Sequence, residues 1–78
     1  MDGWGIQIAS DLKRDGLGAE LMNRRHEVVA EVFRCDADNT LVVNVFMNDI
    51  PLVVFEWFVT TARERLGAFE DGSPLPTF

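Results

Sequence analysis

Between Gly5 and Met47 apolar and polar residues alternate in four stretches. The breaks fall at Asp15-Gly16, Asn23-Arg24-Arg25-His26 and Asp36-Ala37-Asp38-Asn39. A period of two marks strands that bury one face, and Asp, Asn and Gly suit turns because they bond nearby amides or accept positive φ. The pattern predicts four antiparallel strands, about 5–14, 17–22, 27–35 and 40–47, joined as a meander. Read as a two-residue turn, Asp15-Gly16 pairs Arg14 with Leu17, Leu12 with Ala19 and Ser10 with Leu21. The second loop pairs Met22 with Glu27 and Leu21 with Val28. The third pairs Cys35 with Thr40 and Val32 with Val43. All three loops place Leu12, Leu17, Ala19, Leu21, Val28, Ala30, Val32, Leu41, Val43, Val45 and Met47 on one face. A one-residue slip of the third loop would set Val32 against Asn44 and destroy that segregation. The opposite face carries Asp11, Lys13, Gly18, Glu20, Met22, Glu27, Val29, Glu31, Phe33, Cys35, Val42, Asn44 and Phe46. Over strands three and four it is too apolar for a solvated surface and too charged for a core.

After Asn48 the spacing changes to that of a helix, about 50–67. Pro51 fits a first helical turn, where its missing N–H costs nothing. Asp49 is placed to cap the amides or face the positive helix end, and Gly67 supplies a stop. At 100° per residue Leu52, Phe55, Val59, Ala62, Leu66 and Phe69 share a stripe with Phe58 on its flank, while Val53 and Trp57 fall outside it. The end, EDGSPLPTF, carries turn and proline signals and reads as an irregular tail over 70–78. The fold class is α+β, a single domain over 1–78 with a four-stranded antiparallel meander and one C-terminal helix packed on its apolar face (ββββα).

Composition narrows the functional classes. Only 78 residues are present, and 47% are hydrophobic. That suits one small domain with a core worth about 3–5 kcal/mol, a size at which disulfides, metals or self-association often help. One cysteine, Cys35, excludes an internal disulfide and suits a reducing cytoplasm. The first ten residues show no basic region followed by an apolar run, so a secretory signal is not expected. Residues 41–59 have the length of a membrane span, but Asn44, Asn48, Asp49, Pro51 and Glu56 interrupt it, and a strand followed by a helix explains it better. A net charge of −6 opposes nucleic acid.

No constellation for catalysis, cofactor binding or metal binding emerges. Asp36-Ala37-Asp38 opens like a calcium loop, but the sixth and twelfth positions hold Leu41 and Met47 where glycine and glutamate are required. His26 is the single histidine and lies in a turn beside two arginines. Cys35 adjoins Asp36, a setting that disfavours a thiolate nucleophile. The six glycines make no phosphate-binding pattern. The expected role is therefore a non-enzymatic protein that self-associates as a homodimer, or serves as an adaptor for another protein. The interface candidates are Val29, Phe33, Val42 and Phe46 on the mixed sheet face, with Val53 and Trp57 on the helix. The alternative is single-stranded nucleic acid stacked on Phe33 and Phe46. The same element order is the repeat of the PUR and Whirly single-strand binders, an analogy of fold alone, and Glu20, Glu27 and Glu31 share the face and oppose phosphates.

The segments RDGLGAEL (14–21), VVAEVFRCDADNT (28–40), NDIPL (48–52) and FEDGSPL (69–75) resemble those of short uncharacterised bacterial proteins of proteobacterial type. The resemblance covers most of the chain. It implies a bacterial, cytoplasmic origin and brings no activity, ligand or site residue with it.

Overall fold

Alternation becomes structure as four strands, β1 (Gly5–Asp11), β2 (Gly16–Met22), β3 (Val28–Cys35) and β4 (Thr40–Val45), followed by one helix, α1 (Leu52–Leu66). The computed structural model describes residues 1–67. The strands form one antiparallel sheet in the order β1-β2-β3-β4, with the helix packed against it. This is the α+β class expected from the periodicity. Phe69 and the tail over 70–78 lie outside the described residues.

The three hairpins follow the sequence to different degrees. In the third, Cys35 faces Thr40 and Val32 faces Val43, as the turn residues predict. The first is corrected. Asp11 faces Gly16, Ser10 faces Leu17 and Ile6 faces Leu21, so β1 ends at Asp11 and Leu12–Asp15 form the loop. The cause is local. The Asp11 carboxylate accepts the backbone N–H groups of Lys13 (3.0 Å) and Arg14 (3.2 Å) and closes the loop early. Asp15 takes a positive φ of 53°, whereas Gly16 does not. The shift is four positions, an even number, so Ile6 and Ile8 occupy the places foreseen for Ser10 and Leu12 and the faces survive. Leu12 itself is 94% exposed.

In the second hairpin Leu21 faces Ala30 but Met22 faces Val28. Val29 is the extra residue of a β-bulge, which breaks the alternation. Val28 and Val29 therefore exchange the faces that strict alternation gives them, and Val29 is buried in the cluster under the helix.

Helix α1 starts after Pro51, whose carbonyl accepts the Phe55 N–H at 3.0 Å. Among the described residues no side chain caps its amides, and its first turn holds no acid. Asp49, the expected cap, instead sits in the preceding loop with φ 62°. Gly67, at φ 64°, ends the helix in the left-handed conformation that a residue without a Cβ adopts freely, and its N–H returns to the Arg63 carbonyl. Arg34 donates from Nη1 to the Leu66 carbonyl and from Nε to Asp36 (2.7 Å), placing a cation at the negative helix end. The buried face is Val54, Phe58, Ala62 and Leu66, not the stripe through Leu52. Leu52 and Val53 are exposed, while Trp57 packs against the core. The run Leu52-Val53-Val54-Phe55 is apolar all round, so only Ala62 and Leu66 orient the helix.

Helix width decides what stays open. A helix is about 10 Å across and strands lie about 4.8 Å apart, so one helix covers about two strands. Helix α1 packs on β2 and β3. Ala19, Leu21, Ala30 and Val32 meet Val54, Phe58, Ala62 and Leu66 there, and Trp4 and Ile6 extend the cluster. Val43 and Val45 of β4 stand on the helix side of the sheet yet remain half exposed. Among the described residues no helix is long and apolar enough to cross a membrane; residues 41–59 divide into β4, a loop and the start of α1.

Candidate interaction surface

The face away from the helix is closed by one side chain. Arg14, delivered by the Leu12–Asp15 loop, grips Glu31 with both terminal nitrogens (Nη1 to Oε1 2.9 Å, Nη2 to Oε2 2.7 Å) and Asp11 with Nε (2.6 Å). Asn44 Nδ2 adds a bond to Glu31 Oε1 at 3.2 Å. The Arg14 guanidinium carbon sits 4.0 Å from the centre of the Phe33 ring, a cation–π arrangement. Beneath, Phe33 lies against Gly16 and Gly18. Phe33 is thus 4% exposed although it belongs to a face without a helix. The fork geometry of arginine suits this double duty of pairing and stacking.

The network gives a pH dependence. Hydrogen bonding from Arg14 holds the Glu31 and Asp11 carboxyls below their ordinary ranges. The Thr40 hydroxyl and amide do the same for Asp38. A carboxyl whose native value is depressed stabilises the fold above its unfolded value, near 4.5 for Glu31, and loses that contribution as pH falls through the native value. Stability is therefore expected to fall in acid. Arg14→Ala should lower the urea midpoint at neutral pH and flatten the acid limb, because the hydrogen bonds that depress the Glu31 and Asp11 carboxyls are removed. Urea titrations across pH test this. Parallel curves for the two proteins would remove Glu31 as the linked group.

The loops offer little chemistry. Asp36 is held by Arg34, and Asp38 accepts from both the amide (3.2 Å) and hydroxyl (2.7 Å) of Thr40. The alternate acids thus fasten their own turn. Asn39, at φ 53°, is fully buried, with its side-chain amide unpartnered among the described residues. Asn accepts the left-handed conformation better than most residues. An open groove of about 440 Å³ lies between Trp4, Asn23, Arg24, Arg25, Glu27, Met47 and Pro51. Its loop is self-bonded: Asn23 Oδ1 accepts the Arg25 and Glu27 amides, and Asn23 Nδ2 donates to Glu27. Exposed His26 lies at the tip of this loop with φ 63°. Among the described residues no three His, Cys, Asp or Glu side chains converge as metal ligands.

What remains open is β4. Among the described residues it is one of the two edges of the sheet, paired only with β3. From Thr40 through the end of β4 to Met47 there is no charged residue. On one face Val42 and Phe46 are 47% and 59% exposed, and on the other Val43 and Val45 are 50% and 55% exposed. Phe46 turns its N–H inward to the Val29 carbonyl (2.8 Å). By alternation Asn44 and Val42 also point inward, while the N–H and C=O groups of Leu41, Val43 and Val45 point away from the sheet.

The residues expected to form an interface are therefore divided. Val42 lies open on β4 and Phe46 just past its end, and Val53 is open on the helix. Val29 and Trp57 belong to the core side, and Phe33 is shut beneath Arg14. With Phe33 covered, a stacking platform of Phe33 and Phe46 is not assembled. Sequence reasoning missed Arg14 as the cover of Phe33, since it placed Arg14 at the end of the first strand, opposite Leu17. The signal was available: Gly16 and Gly18 leave a gap on the face of Phe33, and an arginine beside an unpaired glutamate can close it. It also missed Val43 and Val45 as surface, because one helix was taken to cover four strands. Compared with known protein families, characterised proteins and solved structures, the chain matches none.

Proposed function

We propose that this protein is a non-enzymatic interaction module that self-associates through β4. One observation carries the reading: β4 is uncharged and, among the described residues, half exposed on both faces and unpaired along its outer edge. Edge strands that must stay alone usually carry lysine, proline or an inward charge, and β4 has none of these. The mixed face is a poorer contact, since Arg14, Glu31, Asp11 and Asn44 already satisfy one another there. Cys35 as the single cysteine and the resemblance to bacterial proteins support a cytoplasmic setting.

Sedimentation over a concentration series tests the reading. Wild type should gain mass by high micromolar concentration. Val43→Lys should weaken that association at least tenfold, while Ile8→Lys, on the opposite edge strand, should leave it unchanged. A wild type that stays monomeric, or a Val43→Lys variant that associates undiminished, would overturn it.

A further inference from the structure

We infer that the occupant of the β4 edge is a second copy of this chain, its β4 running antiparallel to the first about a two-fold axis, so that two four-stranded sheets join into one. This rests on the reading of β4 as the contact surface. Three features select a copy over a foreign strand. The first is charge. Each chain carries −6, yet no charged residue lies between Thr40 and Met47, so this is where two copies can meet with least repulsion. The second is hydrogen bonding. Leu41, Val43 and Val45 each present one outward N–H and one outward C=O at alternate positions of the strand, a pattern complementary to its own two-fold image. The third is apolar surface on both sides of the edge. In an antiparallel pair the Leu41, Val43 and Val45 set lies along its own copy on the helix side, and Val42, Asn44 and Phe46 along theirs on the other side. A two-fold perpendicular to the sheet also puts both helices on the same face. The half-exposed Val43 and Val45 would then be enclosed between the two copies of α1.

Residue-resolved amide exchange on wild type, dilute and concentrated, with mass measured in parallel, tests the pairing. In the dilute monomer Val42 and Asn44 should exchange slowly and Leu41, Val43 and Val45 quickly. On association the three fast amides should slow by at least tenfold, giving continuous protection along β4. Gain of mass with Leu41, Val43 and Val45 still fast would overturn the strand pairing and leave the contact surface standing. No gain of mass at high micromolar concentration would overturn both. Slow exchange of those three amides in the monomer would also overturn the pairing, since the edge would already be occupied.

Discussion

Phe58→Ala should leave the chain largely unfolded at room temperature. Phe58 is fully buried. It lies where the helix meets β2 and β3 and takes an edge-to-face contact from Phe55, with ring centres 6.2 Å apart and planes at 67°. Truncating a buried phenylalanine costs about 3–5 kcal/mol, from lost transfer energy and the cavity left behind. A core of this size supplies about the same amount, and nothing covalent compensates, since Cys35 is the only cysteine. Leu52→Ala is the informative partner. Leu52 is 72% exposed, so its removal should change stability by no more than about 0.5 kcal/mol. Circular dichroism with urea titration distinguishes the two. A cooperative Phe58→Ala transition within about 1 kcal/mol of wild type would mean that the helix packs through another face, as would a large loss on truncating Leu52.

That pair of variants marks where the sequence was legible. Strand count, order and the β3–β4 register follow from period-two alternation and from the Asp36–Asn39 turn, because a slip there would set Asn44 among the apolar residues opposite Val32. The helix rotation was illegible at its start, where Leu52, Val53, Val54 and Phe55 leave no polar side to count against. The bulge at Val29 was hidden for a related reason: Val28 and Val29 are equally apolar, so alternation cannot say which one is extra. On the surface, the sequence showed apolar residues on both sides of β4 but not which of them lack cover. That depends on the width of one helix over four strands, a property of packing rather than of pattern. The mixed face changed most. Its aromatic Phe33 looked like a contact residue because the partner that shields it, Arg14, comes from a loop whose length was misjudged. The functional question moved one strand outward as a result, from Phe33 to the rim of β4.

Gly16→Ala should destabilise the fold by about 3 kcal/mol, at the upper end of what overpacking costs. Gly16 opens β2 opposite Cys35. A Cβ there would sit far inside contact distance of the Arg34 carbonyl oxygen and 2.5 Å from Phe33 Cζ. The carbonyl belongs to β3, so relief requires parting the two central strands or lifting Phe33. The φ of Gly16 is not positive, so the cost is purely steric. Gly18, two residues on, provides the contrast. Its Cβ would meet Glu31 Oε2 at 3.2 Å and Phe33 Cδ2 and the Ala9 carbonyl at 3.6 Å. A carboxylate tip can shift by a few tenths of an ångström, and removing a glycine stiffens the unfolded chain in favour of folding. Gly18→Ala should therefore stay within about 1 kcal/mol of wild type. Chemical denaturation of both variants decides the matter, and equal losses, or the reverse order, would refute the packing of Phe33 across Gly16. The consequence reaches the surface. Phe33 can lie against Gly16 only because Gly16 has no side chain, and it is in that place that Arg14 stacks on it while holding Glu31. Gly16→Ala should uncover an aromatic ring beside β4 and so add a second sticky face to the edge. In sedimentation the surviving folded fraction should then form assemblies larger than the two-fold pair.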